Sequence, residues 1–357
     1  MKSLGNLPDP FLAEILGQPD ALRRAADGLA VSSAPLEAVL AERRRASIVF
    51  TGMGASYNAC YVPVTLLAAR GQSSIMVDAA ELLHFRRPIL GDDSLLVTVS
   101  QSGESAEVVR LVEALQGRQG RPFIVSITNG TRNTLARAAD VSLDTRAGEE
   151  TGPSTMTFAA TLVVLAAVSD ALAGVPLEQA MSKVRAQASR AASEAEAILA
   201  KPEELAGELT SWFENRRAFA LLGRGTARAA SETGALVLKE AARVPAEALE
   251  AAQFRHGPLE LAGRDLAAAV IATERETAAL DLALAEELVA AGAAVLVVTN
   301  EAGGPDGTKI VTVPDVGRAL GPALSVVPSQ LLAWRLALDQ GLSPGELQVA
   351  SKVTTRE

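Results

Sequence analysis

The stretch Ser47-Ile48-Val49-Phe50-Thr51-Gly52-Met53-Gly54-Ala55-Ser56 runs from a short apolar strand, Ser47–Phe50, into a glycine turn, and it has a counterpart later in the chain. Ala218–Leu222 is a second apolar strand, leading into Gly223-Arg224-Gly225-Thr226. Gly52 and Gly223 stand 171 residues apart. Farther along, Ile124–Asn129 (IVSITN) matches Val295–Asn300 (VLVVTN), and Asn129 and Asn300 are again 171 residues apart. Equal offsets across separate strands point to a repeated domain with few net insertions. Short apolar strands alternating with helical stretches are the pattern of an α/β protein with parallel sheets.

The chain divides into a helical leader over 1–46, a first domain over 47–176, a helical connector over 177–215, a second domain over 216–341 and a tail over 342–357. The connector expectation rests on the Ala-, Glu- and Arg-rich stretch Leu177–Leu209, which favours helix and has few breakers. The longest apolar run, Phe158–Val168, stops at Ser169 and Asp170. It is too short to span a bilayer and is expected to be a buried helix.

With 357 residues the chain is comfortable for two domains. Hydrophobic residues make up 48%, enough for each half to bury a core, and aromatics are only 3%, so the cores must be aliphatic. The net charge is −9 and the isoelectric point about 5.1, which argues against nucleic acid or an anionic membrane surface as partner. Arg43-Arg44-Arg45 is short and is expected at a solvated helix end. A lone cysteine, Cys60, permits no intrachain disulfide and fits a reducing, cytoplasmic setting. One cysteine and two histidines leave no set for a structural zinc, and nothing calls for a cofactor. Cys60 and Met53 are expected to be buried apolar residues on the first helix.

The two repeats differ in chemistry at one place. In Val97–Ser105 (VTVSQSGES) a strand ends in Ser100, Gln101, Ser102, Gly103 and Ser105. The same offset gives Ala268–Glu276 (AAVIATERE), where Ile271, Ala272, Thr273 and Arg275 stand instead. A strand-to-helix turn offers unpaired N–H groups and a positive dipole end. Three hydroxyls and an amide add donors, and Gly103 lets the backbone approach a ligand. This is an anion site suited to a phosphate monoester, with Ser56 on the neighbouring turn as a further donor. A lone Ser-x-Ser would be an ordinary cap; four donors around one glycine, absent from the sister repeat, favour phosphate. The loop is not a Walker motif, and Gly52-x-Gly54 lacks the third glycine of a dinucleotide fingerprint.

These segments resemble the SIS (sugar isomerase) family, most closely the isomerase portion of the glutamine–fructose-6-phosphate aminotransferases. The resemblance is carried by Phe11-Leu12-x-Glu14-Ile15-x-x-Gln18-Pro19, Gly54-Ala55-Ser56-Tyr57-Asn58, Ser100–Ser105, Ala147-Gly148-x-Glu150, Leu222-Gly223-Arg224-Gly225, Leu238-Lys239-Glu240, His256-Gly257-Pro258-Leu259 and Ser351-Lys352. It implies two tandem SIS domains, each a flavodoxin-like parallel sheet flanked by helices. It implies sugar-phosphate contacts at Ala55, Ser56, Ser100, Gln101, Ser102 and Ser105. It makes Glu240 the base that moves a proton between C1 and C2. It makes His256 the ring-opening group, reaching the site of a neighbouring subunit in a homodimer, and Lys352 the lysine that engages the open-chain sugar. Taken singly, these would be a solvated helix carboxylate, a cap and a tail lysine; their order together is what carries the assignment. The chemistry agrees, because ring opening suits a histidine near neutral pH and isomerisation needs a carboxylate base beside a carbonyl. A lysine can form a Schiff base or polarise that carbonyl.

Three departures accompany the resemblance. The chain opens Met1-Lys2-Ser3 with no cysteine there, so nitrogen is not expected to come from glutamine by the family's N-terminal cysteine. Val237 and Met156 stand where the synthases carry lysines, which removes positive charge around the sugar. The expected activity is therefore aldose–ketose isomerisation or deamination of an amino-sugar phosphate, of the glucosamine-6-phosphate or fructose-6-phosphate class. The alternative is a non-catalytic sugar-phosphate-binding regulator.

Overall fold

The β-branched Ile48 and Val49 and the aromatic Phe50 start the first strand, and the computed structural model extends it through the glycine turn as β1, Ser47–Gly52. The structure describes residues 9–31 and 33–356; the opening Met1-Lys2-Ser3 lies outside the described residues. β1 pairs in parallel with β2 (Ile75–Met76) on one side and β3 (Ser94–Val99) on the other, followed by β4 (Phe123–Thr128) and β5 (Val141–Asp144). The strand order is β2-β1-β3-β4-β5.

The second half repeats the plan. β6 (Ala218–Gly223), β7 (Ala246–Glu250), β8 (Leu266–Ala272), β9 (Ala294–Thr299) and β10 (Thr308–Thr312) form a parallel sheet in the order β10-β9-β8-β6-β7, the same winding read from the other edge. The central strands of both sheets, β1, β3 and β4 in the first and β6, β8 and β9 in the second, are buried on two faces, which is why they are near-continuous apolar runs.

Helices fill the remaining expectations. The leader holds helices Pro10–Leu16, Gln18–Val31 and Ala34–Ala41. The first is set by Pro10 in its opening turn and by Asp9, whose carboxylate accepts from the Leu12 N–H at 3.0 Å. The connector is two helices, Leu177–Ile198 and Pro202–Trp212, with Pro202 opening the second. Phe158–Val168 lies within helix Met156–Leu172, of which every residue is buried. Among the described residues no helix is long and apolar enough to cross a membrane.

Three expectations need correction. Separate cores exist in each half, but the largest cluster joins both, running from Phe11 and Phe50 through the buried helix to Leu221, Val298 and Trp334. The halves share a core because the leader and connector helices pack between them: Gln18 donates to Gln330 at 2.8 Å and Trp334 to Asp9 at 2.7 Å. Met53 is half-buried and precedes its helix, Gly54–Ala59, whereas Cys60 is fully buried at the end of it. Arg43–Arg45 follow the end of helix Ala34–Ala41 with Arg44 exposed as expected, but Arg43 and Arg45 are only half exposed: Arg43 donates to the Leu40 carbonyl and Arg45 to Glu42 and the Asp92 carbonyl.

Leu162 sits in the middle of the wholly buried helix, with no exposed surface. Leu162→Ala is expected to lower stability by about 2–5 kcal/mol through lost transfer energy and a residual cavity. Urea unfolding should show a lower midpoint with an unchanged slope; a midpoint equal to the parent's would mean that this helix is not central to the shared core.

Candidate active site

The serine loop begins where β3 leaves the sheet. Ser100 is buried and turned inward: its hydroxyl accepts from the Gly103 N–H at 3.2 Å and meets the Ser105 hydroxyl at 3.1 Å. Gly103 has φ +66, and a Cβ there would stand 2.0 Å from Asn133 Oδ1, so only glycine fits this turn. Asn133 caps the helix Thr134–Ala138, and Leu135 donates back to the Gly103 carbonyl. The loop is thus braced from behind, with Gln101, Ser102 and Ser105 left on its outer rim. Ser105 opens the helix Ala106–Leu115 but makes no side-chain cap to it.

In front of the loop lies a cavity of about 310 Å3. Its walls include Ala55, Ser56, Gln101, Ser102, Ser105, Glu240 and Lys352, seven of the nine residues singled out in the sequence. Two are elsewhere. Ser100 works inside the loop, bracing it, and does not line the cavity. His256 is exposed on the turn after helix Ala251–Phe254 and is outside the cavity.

Glu240 comes from the other half. Helix Ala227–Val237 packs on helix Gly54–Ala59 and continues as a wider π turn, Leu238–Ala242, which ends at Arg243 in the left-handed conformation. This places the half-buried Glu240 on the cavity wall, where no donor among the described residues bonds its carboxylate. Burial pushes its pKa up to about 7; the positive charge of Lys352 opposes the rise and the negative charge of Glu150 adds to it. Val237 and Met156 are buried in apolar packing and do not reach the cavity wall.

Lys352 comes from the tail, which crosses between the halves. Arg243 holds the tail by donating to Gln348 Oε1 at 2.6 Å, and the Ala106 N–H holds it by donating to the Thr354 carbonyl at 2.9 Å. The lysine Nζ donates to Glu150 Oε2 at 2.9 Å and to the Gly152 carbonyl at 2.6 Å. The Glu150 carboxylate has no exposed surface and also accepts from the main-chain N–H groups of Thr155 and Thr157 and from both hydroxyls. Glu14, on the leader, accepts from Thr151 and Gly152 and fixes this loop from the far side. Glu14 and Glu150 were visible only as letters within motifs; nothing local in the sequence signals that each anchors a loop. Glu107, on the first turn of helix Ala106–Leu115, also lines the cavity and was not singled out.

The corresponding ledge of the second sheet borders a cavity of about 230 Å3 whose wall includes a buried carboxylate. Glu274, 5% exposed, accepts from the Thr226 N–H at 2.7 Å and from its hydroxyl, and pairs with Arg318 at 2.9 Å. It stands at the offset of Gly103, so a carboxylate of the chain itself occupies the turn where the first half presents open donors.

Comparison with known proteins agrees with the fold. The model of the SIS domain matches residues 40–169 and 213–338. Along its full length the chain is 30% identical to a glutamine–fructose-6-phosphate aminotransferase (isomerizing) of Pyrobaculum aerophilum and 31% identical to one of Pyrococcus horikoshii. It covers 59% of each, so it spans about three fifths of the length of the curated relatives it matches. The C-terminal domain of glucosamine-fructose-6-phosphate aminotransferase from Francisella tularensis superposes with a TM-score of 0.85 at 24% identity, over 97% of this chain and 100% of that one. Glucosamine-6-phosphate deaminase from Thermotoga maritima superposes with a TM-score of 0.73 at 21% identity, over 96% and 99%. These two likenesses are of fold. With one domain model accounting for both halves, and each half built as the same parallel sheet, the chain belongs to the SIS domain family.

Proposed function

We propose that the protein is a sugar-phosphate isomerase or amino-sugar-phosphate deaminase of the glucosamine-6-phosphate or fructose-6-phosphate class. The observation that carries the reading is the convergence, in one cavity, of a donor-rich loop, an elevated carboxylate and a lysine from three distant stretches of chain. In this reading Ser56, Gln101, Ser102 and Ser105 hold the phosphate, with Ala55 beside them and Ser100 bracing the loop. Glu240 takes the proton from the carbon next to the carbonyl and returns it to the neighbouring carbon. Lys352 engages the carbonyl end of the open-chain sugar.

His256 opens the ring in the site of a neighbouring subunit, which makes the working unit a homodimer. Its exposure, away from its own cavity, is what that role requires. The same observation favours the second reading, a sugar-phosphate-binding regulator, for a chain acting alone.

The phosphate assignment predicts that Ser102→Ala weakens sugar-phosphate binding tenfold or more, in keeping with the loss of about 1.5–3 kcal/mol for a charge-assisted hydrogen bond. Calorimetry checks this, and equal affinity for a sugar and its phosphate would remove the loop from the site.

Glu240 must be ionised to act as a base. With its pKa at about 7, turnover should rise with pH through that value and level off above it. Glu240→Gln should cut kcat by about 10²–10⁴ with little change in substrate affinity. A regulator would show neither the turnover nor the pH limb, and a variant that exchanged the sugar proton at the parent rate would refute the base assignment.

The shared site predicts complementation. Mixing His256→Ala chains with Glu240→Gln chains, each inactive alone, should restore activity by assembling one complete site. Verified mixed dimers without recovery would place both residues in a single subunit's site.

A further inference from the structure

The second half keeps a cavity of its own where the first half presents the serine loop. It measures about 230 Å3 and lies at the carboxyl ends of β6, β8, β9 and β10, the edge at which open parallel sheets take ligands. Thr226, Thr273 and Glu276 on its wall stand 171 residues after Ala55, Ser102 and Ser105 on the wall of the first cavity. We propose that this cavity is a second small-molecule site, and that it takes an amino-acid zwitterion and not a sugar phosphate.

Charge sets the class of ligand. The wall carries the carboxylates of Glu274, Glu276 and Asp315 and the guanidinium groups of Arg275 and Arg318. Glu274 is committed: Thr226 fills one of its oxygens and Arg318 Nε the other, at 2.9 Å. Arg318 also pairs with Glu276, whose side chain is 64% exposed, and an ion pair so open to solvent is displaced at little cost. The Arg275 guanidinium and Asp315 Oδ2 have no hydrogen-bond partner among the described residues. A phosphate dianion would gain the arginines but lie against carboxylates that the serine loop does not have. A simple ammonium would meet the reverse conflict. A molecule with both a carboxylate and an ammonium satisfies each sign at once, the carboxylate on Arg275 and the ammonium on Asp315, with Thr273 and Asn300 as neutral partners. Size agrees: sites for drug-sized ligands measure about 300–1,000 Å3, so a cavity of about 230 Å3 suits a smaller molecule.

The two cavities have no wall residue in common, so each binds independently of the other's contacts. They are nevertheless joined by one element. Thr226 immediately precedes helix Ala227–Val237, whose wider continuation carries Glu240 to the first cavity. A ligand set against Thr226 and Glu274 therefore borders the helix that positions Glu240.

The test uses the full-length protein and the common α-amino acids, screened singly by thermal shift and then titrated by calorimetry. Ethylamine, propionate and inorganic phosphate serve as probes of each charge alone. At least one amino acid is expected to bind once per chain, about tenfold or more tighter than ethylamine or propionate. Arg275 and Asp315 are exposed, so Arg275→Gln and Asp315→Asn should keep the parent's melting temperature, and each should weaken binding of that amino acid about tenfold or more. The inference is overturned if no amino acid binds, if ethylamine or propionate binds as tightly as the amino acid, or if binding survives both substitutions. Inorganic phosphate held in an Arg275-dependent manner overturns it as well, by reversing the class of ligand. None of these results bears on the sugar-phosphate reading, which rests on the other cavity.

Discussion

The arrangement depends on one buried carboxylate. Glu150 has no exposed side-chain surface, yet it lies at the junction of three parts of the chain: the loop after β5, the N-terminus of the buried helix Met156–Leu172, and the tail. A charge in that position is tolerable only if its lone pairs are filled, and they are, by two main-chain N–H groups, two hydroxyls and an ammonium. Removing the lysine would leave the carboxylate with neutral donors alone. Removing the carboxylate would leave the tail without its central anchor. The polar interior of the site is therefore a closed circuit, and the position of Lys352 is set by it rather than by the tail's own conformation.

The shared core supplies the second constraint. Because the leader and connector helices pack between the halves, helix Ala227–Val237 of the second half is pressed against helix Gly54–Ala59 of the first. The wider turn that follows delivers Glu240 to a cavity whose donors belong to the other sheet. The same packing takes water from that carboxylate, and this is the main cause of its elevated pKa. Position and acidity thus have a single origin in the way the halves meet.

Much of this was legible beforehand. The two sheets were announced by apolar strands at a fixed offset, since doubly covered parallel strands leave no room for polar alternation. The serine loop was legible because the sister repeat lacked it. Glu240 and Lys352 were legible only through the ordered resemblance to a family, because nothing near either residue distinguishes it from a surface charge. Glu14 and Glu150 were not legible as parts of a site, because their partners are far away in sequence or lie in loops whose path depends on the fold, and Glu107 was not because the sequence does not say which residues of its helix meet the cavity. The inward turn of Ser100 was missed because alternation cannot tell which hydroxyl of a tight loop faces its own backbone. The joining of the cores was missed for a related reason, in that a helix's apolar face does not say which half it will cover.

Glu274 gives the second half a different history from the first. It acts as a resident counter-ion, covalently supplied at full occupancy, for a turn that would otherwise attract an anion from solution. A freely dissociating ligand must be replaced each time it leaves; a side chain in the same place never dilutes. The turn of the second sheet is thereby neutralised from inside, while the matching turn of its twin carries no such charge. Two copies of one architecture thus differ in charge at one turn, where one carries an acidic side chain and the other keeps a glycine.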